Sequence, residues 1–247
     1  MEKDTFFGFE SISAAEKVRR VGQVFQSVAS RYDVMNDVMS LGVHRYWKAQ
    51  LLEKLSLFPQ AQIIDVAGGT GDLALSIQKT YPYLDLQVLV CDLTPAMVEV
   101  GRDRAINAGL INGIQWACGK AEALPFPDAS VDIYTIAFGL RNVGDIAQSL
   151  AEAARVLRPN GQFVCLEFSQ VQMPWWQTVY DAYSFNVIPS LGQWIAGDRE
   201  AYQYLVESIR RFPNQQALAT LMKDAGFRDV QWSNFLGGIS SLHIARR

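Results

Sequence analysis

From Ala61 onward the chain alternates short apolar runs with segments of helical periodicity. QIIDVA, LQVLVCD, IQWACG, VDIYTIAF and GQFVCLEF are nearly continuous apolar stretches, the pattern of strands buried on both faces. Strands separated by helix-length segments predict a parallel sheet flanked by helices, an α/β fold. The helices carry boundary signals. Thr94 before Pro95 supplies an N-cap and a residue favoured at the first helical position, and Pro159-Asn160-Gly161 ends a run from about Asp145 to Leu157. Near the C-terminus a helix from about Gln215 to Ala225 stops at Gly226, and DVQWSNF and ISSLHIA follow closely enough to pair antiparallel.

Two regions do not fit the repeating unit, which divides the chain into four parts. Residues 1–58 are an N-terminal helical arm, a candidate lid, and 59–168 carry the sheet core. Residues 169–200 are an insert after the fifth strand, and 201–247 complete the same domain with helices and antiparallel strands. Insertions at strand ends often build lids and binding walls. This one is rich in aromatic side chains, with Trp176, Tyr180 and Tyr183 as candidate contacts for a flat ring and a greasy tail. The same residues would equally serve as a satellite core beneath a long loop.

Composition narrows the partners. At 247 residues and 49% hydrophobic the chain can bury one large core. A net charge of −3, with Lys and Arg scattered, leaves no basic field for a nucleic-acid backbone. Cys91, Cys118 and Cys165 each sit in an apolar run, which suits reduced core thiols and a cytoplasmic setting. The start, MEKDTFFGFE, has charges where a signal peptide needs its apolar stretch.

The chemistry concentrates in IIDVAGGTGD, residues 63–72, a strand running through glycines into a helix. Gly69-x-Gly71-x-x-Ala74, with Asp92 ending the next strand, satisfies a dinucleotide fingerprint. A pyrophosphate there works through N–H groups and the positive end of a helix dipole. Yet Asp65 and Asp72 flank the turn, and no Lys or Arg lies between Asp65 and Gln78. S-adenosylmethionine carries an ammonium and a sulfonium and no phosphate, so the two carboxylates favour it. In this reading Gly69 and Gly71 let the backbone approach the methionine portion, and Asp92 accepts both ribose hydroxyls. The plainer alternative is a tight turn that binds nothing, with the aspartates as caps.

The stretches FGFESI, VFQSVASRYDVMNDVMSLGVHRYWK, IIDVAGGTGDL, AEALPFPD, FGLRNV, AYSFNVIPSLG and YLVESIRRFP resemble the ubiquinone/menaquinone biosynthesis C-methyltransferases, the UbiE-type family, over nearly the whole chain. The resemblance implies a seven-stranded, mostly parallel Rossmann-like methyltransferase sheet with helices on both faces. It also implies S-adenosylmethionine contacts at Thr70, Asp92, Lys120 and Ala121. Lys120 stands where relatives often have Asn, and Ala137 where they often have Ser, so at those two positions it is backbone contact that carries over.

The acceptor implied is a polyprenyl quinol, 2-polyprenyl-6-methoxy-1,4-benzoquinol or demethylmenaquinol. A quinol becomes nucleophilic at carbon when a hydroxyl proton leaves, and phenolic protons sit near pKa 10, so a fixed cation would help. Arg141 in FGLRN is the first candidate, with Asn142 a second donor; an ion pair with a carboxylate such as Asp145 is the alternative for Arg141. His44, Tyr32 and Asp33 in the arm are candidate proton acceptors, against the plainer expectation that they are structural. His243 is expected to be structural. A lipid-tailed acceptor implies a peripheral contact with the inner membrane, a homodimer or a quinone-synthesis complex. Two other readings stay open: a methyltransferase for another aromatic acceptor, and a non-catalytic scaffold binding cofactor or lipid.

Overall fold

A computed structural model describes residues 4–28, 37, 40, 42–172 and 199–247. The chain begins with a hairpin, β1 (Asp4–Phe7) and β2 (Glu10–Ser13), and continues directly into α1 (Ala14–Val28); α2 (His44–Glu53) precedes the sheet. The sheet units follow as β3 (Gln62–Val66), α3 (Asp72–Thr80), β4 (Gln87–Asp92), α4 (Pro95–Asn107), β5 (Ile114–Cys118), β6 (Val131–Ala137), α5 (Ile146–Val156) and β7 (Leu157–Phe168). After the segment that carries Met173, Trp175, Trp176, Tyr180, Tyr183, Phe185 and Trp194, which lies outside the described residues, come α6 (Arg199–Arg211), α7 (Gln215–Asp224), β8 (Arg228–Phe235) and β9 (Ser240–Arg246).

The seven strands lie in the order β5-β4-β3-β6-β7-β9-β8. The five apolar runs pair in parallel, and β9 joins antiparallel between β7 and β8. The sheet is therefore seven-stranded, mostly parallel and Rossmann-like. Alternate residues of one strand feed opposite faces: Ile63, Ile133 and Val164 join one cluster, with Trp47 and Leu51 of α2, Ile77 of α3 and Leu205 of α6. Ile64, Tyr134 and Cys165 join the other, with Leu150 and Ala153 of α5 and Leu218 and Met222 of α7. Burial on both faces is why these strands read as unbroken apolar runs.

Because β3 has β4 on one side and β6 on the other, its carboxyl end is the topological switch point, where two loops diverge and leave a crevice. Here the loops after β3 and β6 touch: a Cβ placed on Gly139 would lie 2.4 Å from the Cβ of Ala67. Ala67 (φ 51°) and Phe138 (φ 59°) both hold left-handed backbone, a costly conformation for non-glycine residues that clusters at functional sites.

Several local expectations change. The arm, read as helical, starts with a β-hairpin, too short a period-2 pattern to stand out. The Thr94 side chain makes no cap bond to α4. Its hydroxyl and N–H both turn to the Asp92 carboxylate instead. Pro159-Asn160-Gly161 sits inside β7, where Leu157 and then Gln162 pair with Val131 and Ile133, so the intervening residues form an irregularity. Cys118 is exposed, while Cys91 and Cys165 are buried as expected.

Candidate active site

The crevice at the switch point is lined by Gly69 from the turn after β3, Asp92 and Thr94 from the end of β4, Lys120, Ala121 and Glu122 after β5, and Phe138, Gly139 and Asn142 after β6. Val18, Val21 and Phe25 of α1 roof it. Five of the expected residues, Gly69, Asp92, Lys120, Ala121 and Asn142, thus meet in one cavity, drawn from four loops at the same sheet edge.

Asp92 locks two of those loops. Its Oδ2 accepts from the Gly69 N–H at 2.8 Å, and its Oδ1 accepts from the Thr94 N–H at 2.8 Å. The Thr94 hydroxyl and the Leu93 N–H also reach this carboxylate, so a vicinal diol in the crevice would share it with them, the rotatable Thr94 hydroxyl being the donor that can turn aside. Burial pushes the Asp92 carboxyl up, and the backbone N–H bonds pull it back.

The glycine turn works differently from the expectation. At Gly71, φ is 73°, and an added Cβ would sit 2.3 Å from the Trp116 ring, so this glycine serves the turn and an indole packed beneath it. Gly68 is squeezed between Val90 and the Asp65 Oδ2, each under 3.0 Å from a hypothetical Cβ. The Thr70 hydroxyl accepts from Arg104 Nη1 at 2.6 Å, and Thr70 is not among the lining residues.

The pair of bare carboxylates is half corrected. Lys48 Nζ of α2 lies 2.8 Å from Asp72 Oδ2, so Asp72 is compensated from outside its own segment. Asp65 feels Lys48 at longer range and, among the described residues, bonds no cation directly: it is 1% exposed, accepts from the Thr135 hydroxyl at 2.7 Å, and is not among the lining residues. Burial raises its carboxyl to about 7. A cation held above the turn favours the carboxylate form. We therefore expect affinity for a cationic cofactor to drop as pH falls below about 7, by up to about tenfold per unit. The sign for stability is opposite. An acid raised on folding contributes stability below its unfolded value near 3.8, and that contribution is lost as pH rises through about 7. Calorimetry across pH 5.5–8 on wild type and Asp65→Asn checks this, and a wild-type affinity flat with pH removes the assignment.

Arg141 and Asn142 occupy a 3-10 turn after β6, Leu140–Asn142. The expected free cation is not there. Arg141 is 4% exposed, outside the lining, and its Nη1 donates to Glu167 Oε1 at 2.5 Å and to the Phe138 carbonyl at 2.6 Å. Its partner is Glu167 on β7; Asp145 instead caps α5, accepting from the N–H groups of Ala147 and Gln148. The charge on Arg141 is thus neutralised before any ligand arrives, and its Nε has no partner. Asn142 does line the crevice, and its Oδ1 accepts from the Tyr204 hydroxyl at 3.0 Å. Glu167 and Tyr204 were missed. A carboxylate inside the apolar run GQFVCLEF was the available signal for the first; nothing in the local pattern singled out the second.

His44, at the start of α2, contacts Ser40 Oγ through Nδ1 at 2.9 Å. It lines a separate polar recess with Lys48, Asp72, Ser76 and Arg104, which shares no lining residue with the crevice. Burial pushes its imidazole down, which suits a structural neutral ring. Ala137, the last residue of β6, is likewise outside the lining. His243 is buried on β9 against the Gln215 carbonyl, as expected of a structural residue. Tyr32, Asp33, Trp176, Tyr180 and Tyr183 lie outside the described residues.

The crevice fits a cationic adenosyl cofactor better than a dinucleotide. Among the described residues its lining holds the carboxylates of Asp92 and Glu122 and one cation, Lys120, with Asp65 buried nearby, an acidic environment hostile to pyrophosphate.

Comparison with known proteins agrees. The "Ubiquinone/menaquinone biosynthesis C-methyltransferase UbiE" of Paracoccus denitrificans is 51% identical over 241 residues, covering 98% of this chain and 96% of its own. The mitochondrial "2-methoxy-6-polyprenyl-1,4-benzoquinol methylase" of Arabidopsis thaliana is 50% identical, covering 98% of this chain and 89% of its own. Among solved structures, a SAM-dependent methyltransferase from Thermotoga maritima superposes with a TM-score of 0.64 at 18% identity, covering 92% of this chain and 99% of that one, a likeness of fold. A sequence model of the ubiE/COQ5 methyltransferase family matches residues 13–247, and the chain, about half identical to named members over nearly its whole length, belongs to this family of enzymes.

Proposed function

We propose that the protein transfers a methyl group from S-adenosylmethionine to a ring carbon of a polyprenyl quinol. The carrying observation is the crevice itself, whose lining brings together the Asp92 carboxylate and Asn142 of the turn after β6. The cofactor supplies an electrophilic methyl on a sulfonium. The protein's own residues do the rest: Asp92 holds the ribose, the Lys120-Ala121 backbone borders the adenine, and Asp65 supplies negative potential below the turn.

Asn142 is the donor toward the acceptor's hydroxyl. Arg141 contributes from behind, holding the turn through Glu167. Tyr32 and Asp33 remain in this proposal as proton acceptors; His44 drops out because it faces the other recess. Trp176, Tyr180 and Tyr183 are proposed to flank the ring. α1 roofs the crevice and excludes water, which strengthens electrostatic interactions inside.

A polyprenyl tail partitions into a bilayer, and among the described residues no helix is long and apolar enough to cross one. We therefore place the protein peripherally, taking its acceptor from a membrane surface. The test is methyl transfer from labelled S-adenosylmethionine to a reduced short-chain quinol, its oxidised quinone and a panel of soluble phenols. Product from the quinol alone is expected. Methylated phenols with an inert quinol would reassign the acceptor, and cofactor binding without any transfer would point to the scaffold reading.

A further inference from the structure

Lys17 is out of place by any structural criterion. It lies on α1 within the stripe Ala14, Val18, Val21 and Phe25 that faces inward, and it is 7% exposed. Its Nζ donates to the Arg141 carbonyl at 3.2 Å, so a helix outside the sheet reaches the turn that presents Asn142. The carboxylate that acts on it electrostatically is Glu122, which makes no ion pair with it and whose Oε1 accepts from the N–H groups of Gly144 (2.5 Å) and Asp145 (3.2 Å). An ammonium buried against a carbonyl, without a carboxylate bonded to it, costs stability that an apolar residue there would not. Lys17 is also flanked by the crevice: its chain neighbour Val18, its bonded neighbour's successor Asn142, and Glu122 all line it.

We propose that Lys17 is a positioning residue of the methyl-transfer site, whose ammonium pins the roof helix to the Arg141 carbonyl and so sets the turn that carries Asn142. The inference rests on the methyl-transfer reading for its catalytic consequence, though not for its structural one. The same turn is held also by Tyr204 of α6 on Asn142 and by Glu167 of β7 on Arg141. Lys17 supplies the third tie, the only one of these three that comes from α1. Burial brings its ammonium down to about 8, so the tie is charged at neutral pH and weakens above that value. The other charged groups around it are Glu122, the neutralised Arg141–Glu167 pair and Asp145 at the start of α5; on α1, Glu16 pairs with Arg19 and Arg20, and Arg20 pairs also with Glu10 of β2.

The test compares wild type, Lys17→Met and Lys17→Arg. Since misplacement of reacting groups by about 1 Å can cost on the order of 100-fold, we expect kcat for quinol methylation to fall at least about tenfold in Lys17→Met, with part recovered in Lys17→Arg. The wild-type rate should bend downward near pH 8, and that bend should be absent in both variants. Cofactor-loaded Lys17→Met should also show faster amide exchange across residues 14–28. A Lys17→Met kcat within about twofold of wild type, or an alkaline bend shared by wild type and variant, overturns the proposal, because a positioning cation must leave both marks. If wild type methylates no quinol, the acceptor reading fails instead; exchange across α1 then decides Lys17 alone, with unchanged exchange overturning it.

Discussion

Glu167→Ala should destabilise the protein by about 3–5 kcal/mol, the cost of leaving a buried charge without its partner. Glu167 is fully buried on β7 and Arg141 is nearly so, and the carboxylate also accepts from the N–H groups of Arg141 and Phe168. Burial pushes the Glu167 carboxyl up more than Arg141 pulls it down, so the pair is not a net source of stability. Breaking it is another matter, because the survivor keeps the desolvation cost and loses the attraction. Arg141→Ala should therefore behave much like Glu167→Ala, while the double variant Arg141→Ala with Glu167→Ala should cost well under the sum of the two, the remainder including the acceptor lost to the Arg141 and Phe168 N–H groups. Denaturant unfolding of the two single variants and the double variant measures the coupling. Single variants within about 1 kcal/mol of wild type would show that the pair is not integral to the edge. One consequence concerns method: loss of activity in Arg141→Ala would not separate chemistry from folding. Asn142→Ala is the cleaner probe, because Asn142 touches the crevice and carries no charge.

Asp92→Ala should lower S-adenosylmethionine affinity by on the order of 100-fold or more, since hydrogen bonds to a charged group contribute about 1.5–3 kcal/mol each and a ribose offers two hydroxyls. A second loss adds to the first. The carboxylate also holds the Gly69 and Thr94 N–H groups, so its removal frees both loops that frame the cofactor. Asp92→Asn should fail as well, which a simple loss of charge would not require. An amide has one acceptor oxygen, and its NH2 would then face one of two backbone N–H groups that both need an acceptor. Calorimetric titration of both variants, with circular dichroism to confirm folding, checks the expectation. Affinity within about threefold of wild type in Asp92→Ala would remove Asp92 from the site, since that is less than half of one such bond.

What could be read in advance followed local rules. The parallel core was legible because strands covered on both faces carry no polar alternation, as in the Ile63–Val66 run. Asp92 was legible because a carboxylate ending the strand after a glycine turn lands at the edge where ligands bind. The family resemblance supplied the acceptor's chemistry, which no periodicity contains.

What could not be read was the partner of each charge. Lys48 reaches Asp72 across 24 residues, Arg141 reaches Glu167 across 26, Tyr204 reaches Asn142 across 62 and Lys17 reaches Arg141 across 124. Spacing along a chain predicts contacts only within one helix or between paired strands. These bonds join elements that meet because the sheet orders its strands in space, and Coulomb attraction depends on that distance alone. The sequence by itself thus determined the α/β core, the glycine turn and the acid at the end of β4. Only the tertiary structure decided which charges stay available to a ligand: it neutralised Arg141 and Asp72, left Asp65 buried beneath the turn, and brought Lys17 to the edge of the crevice.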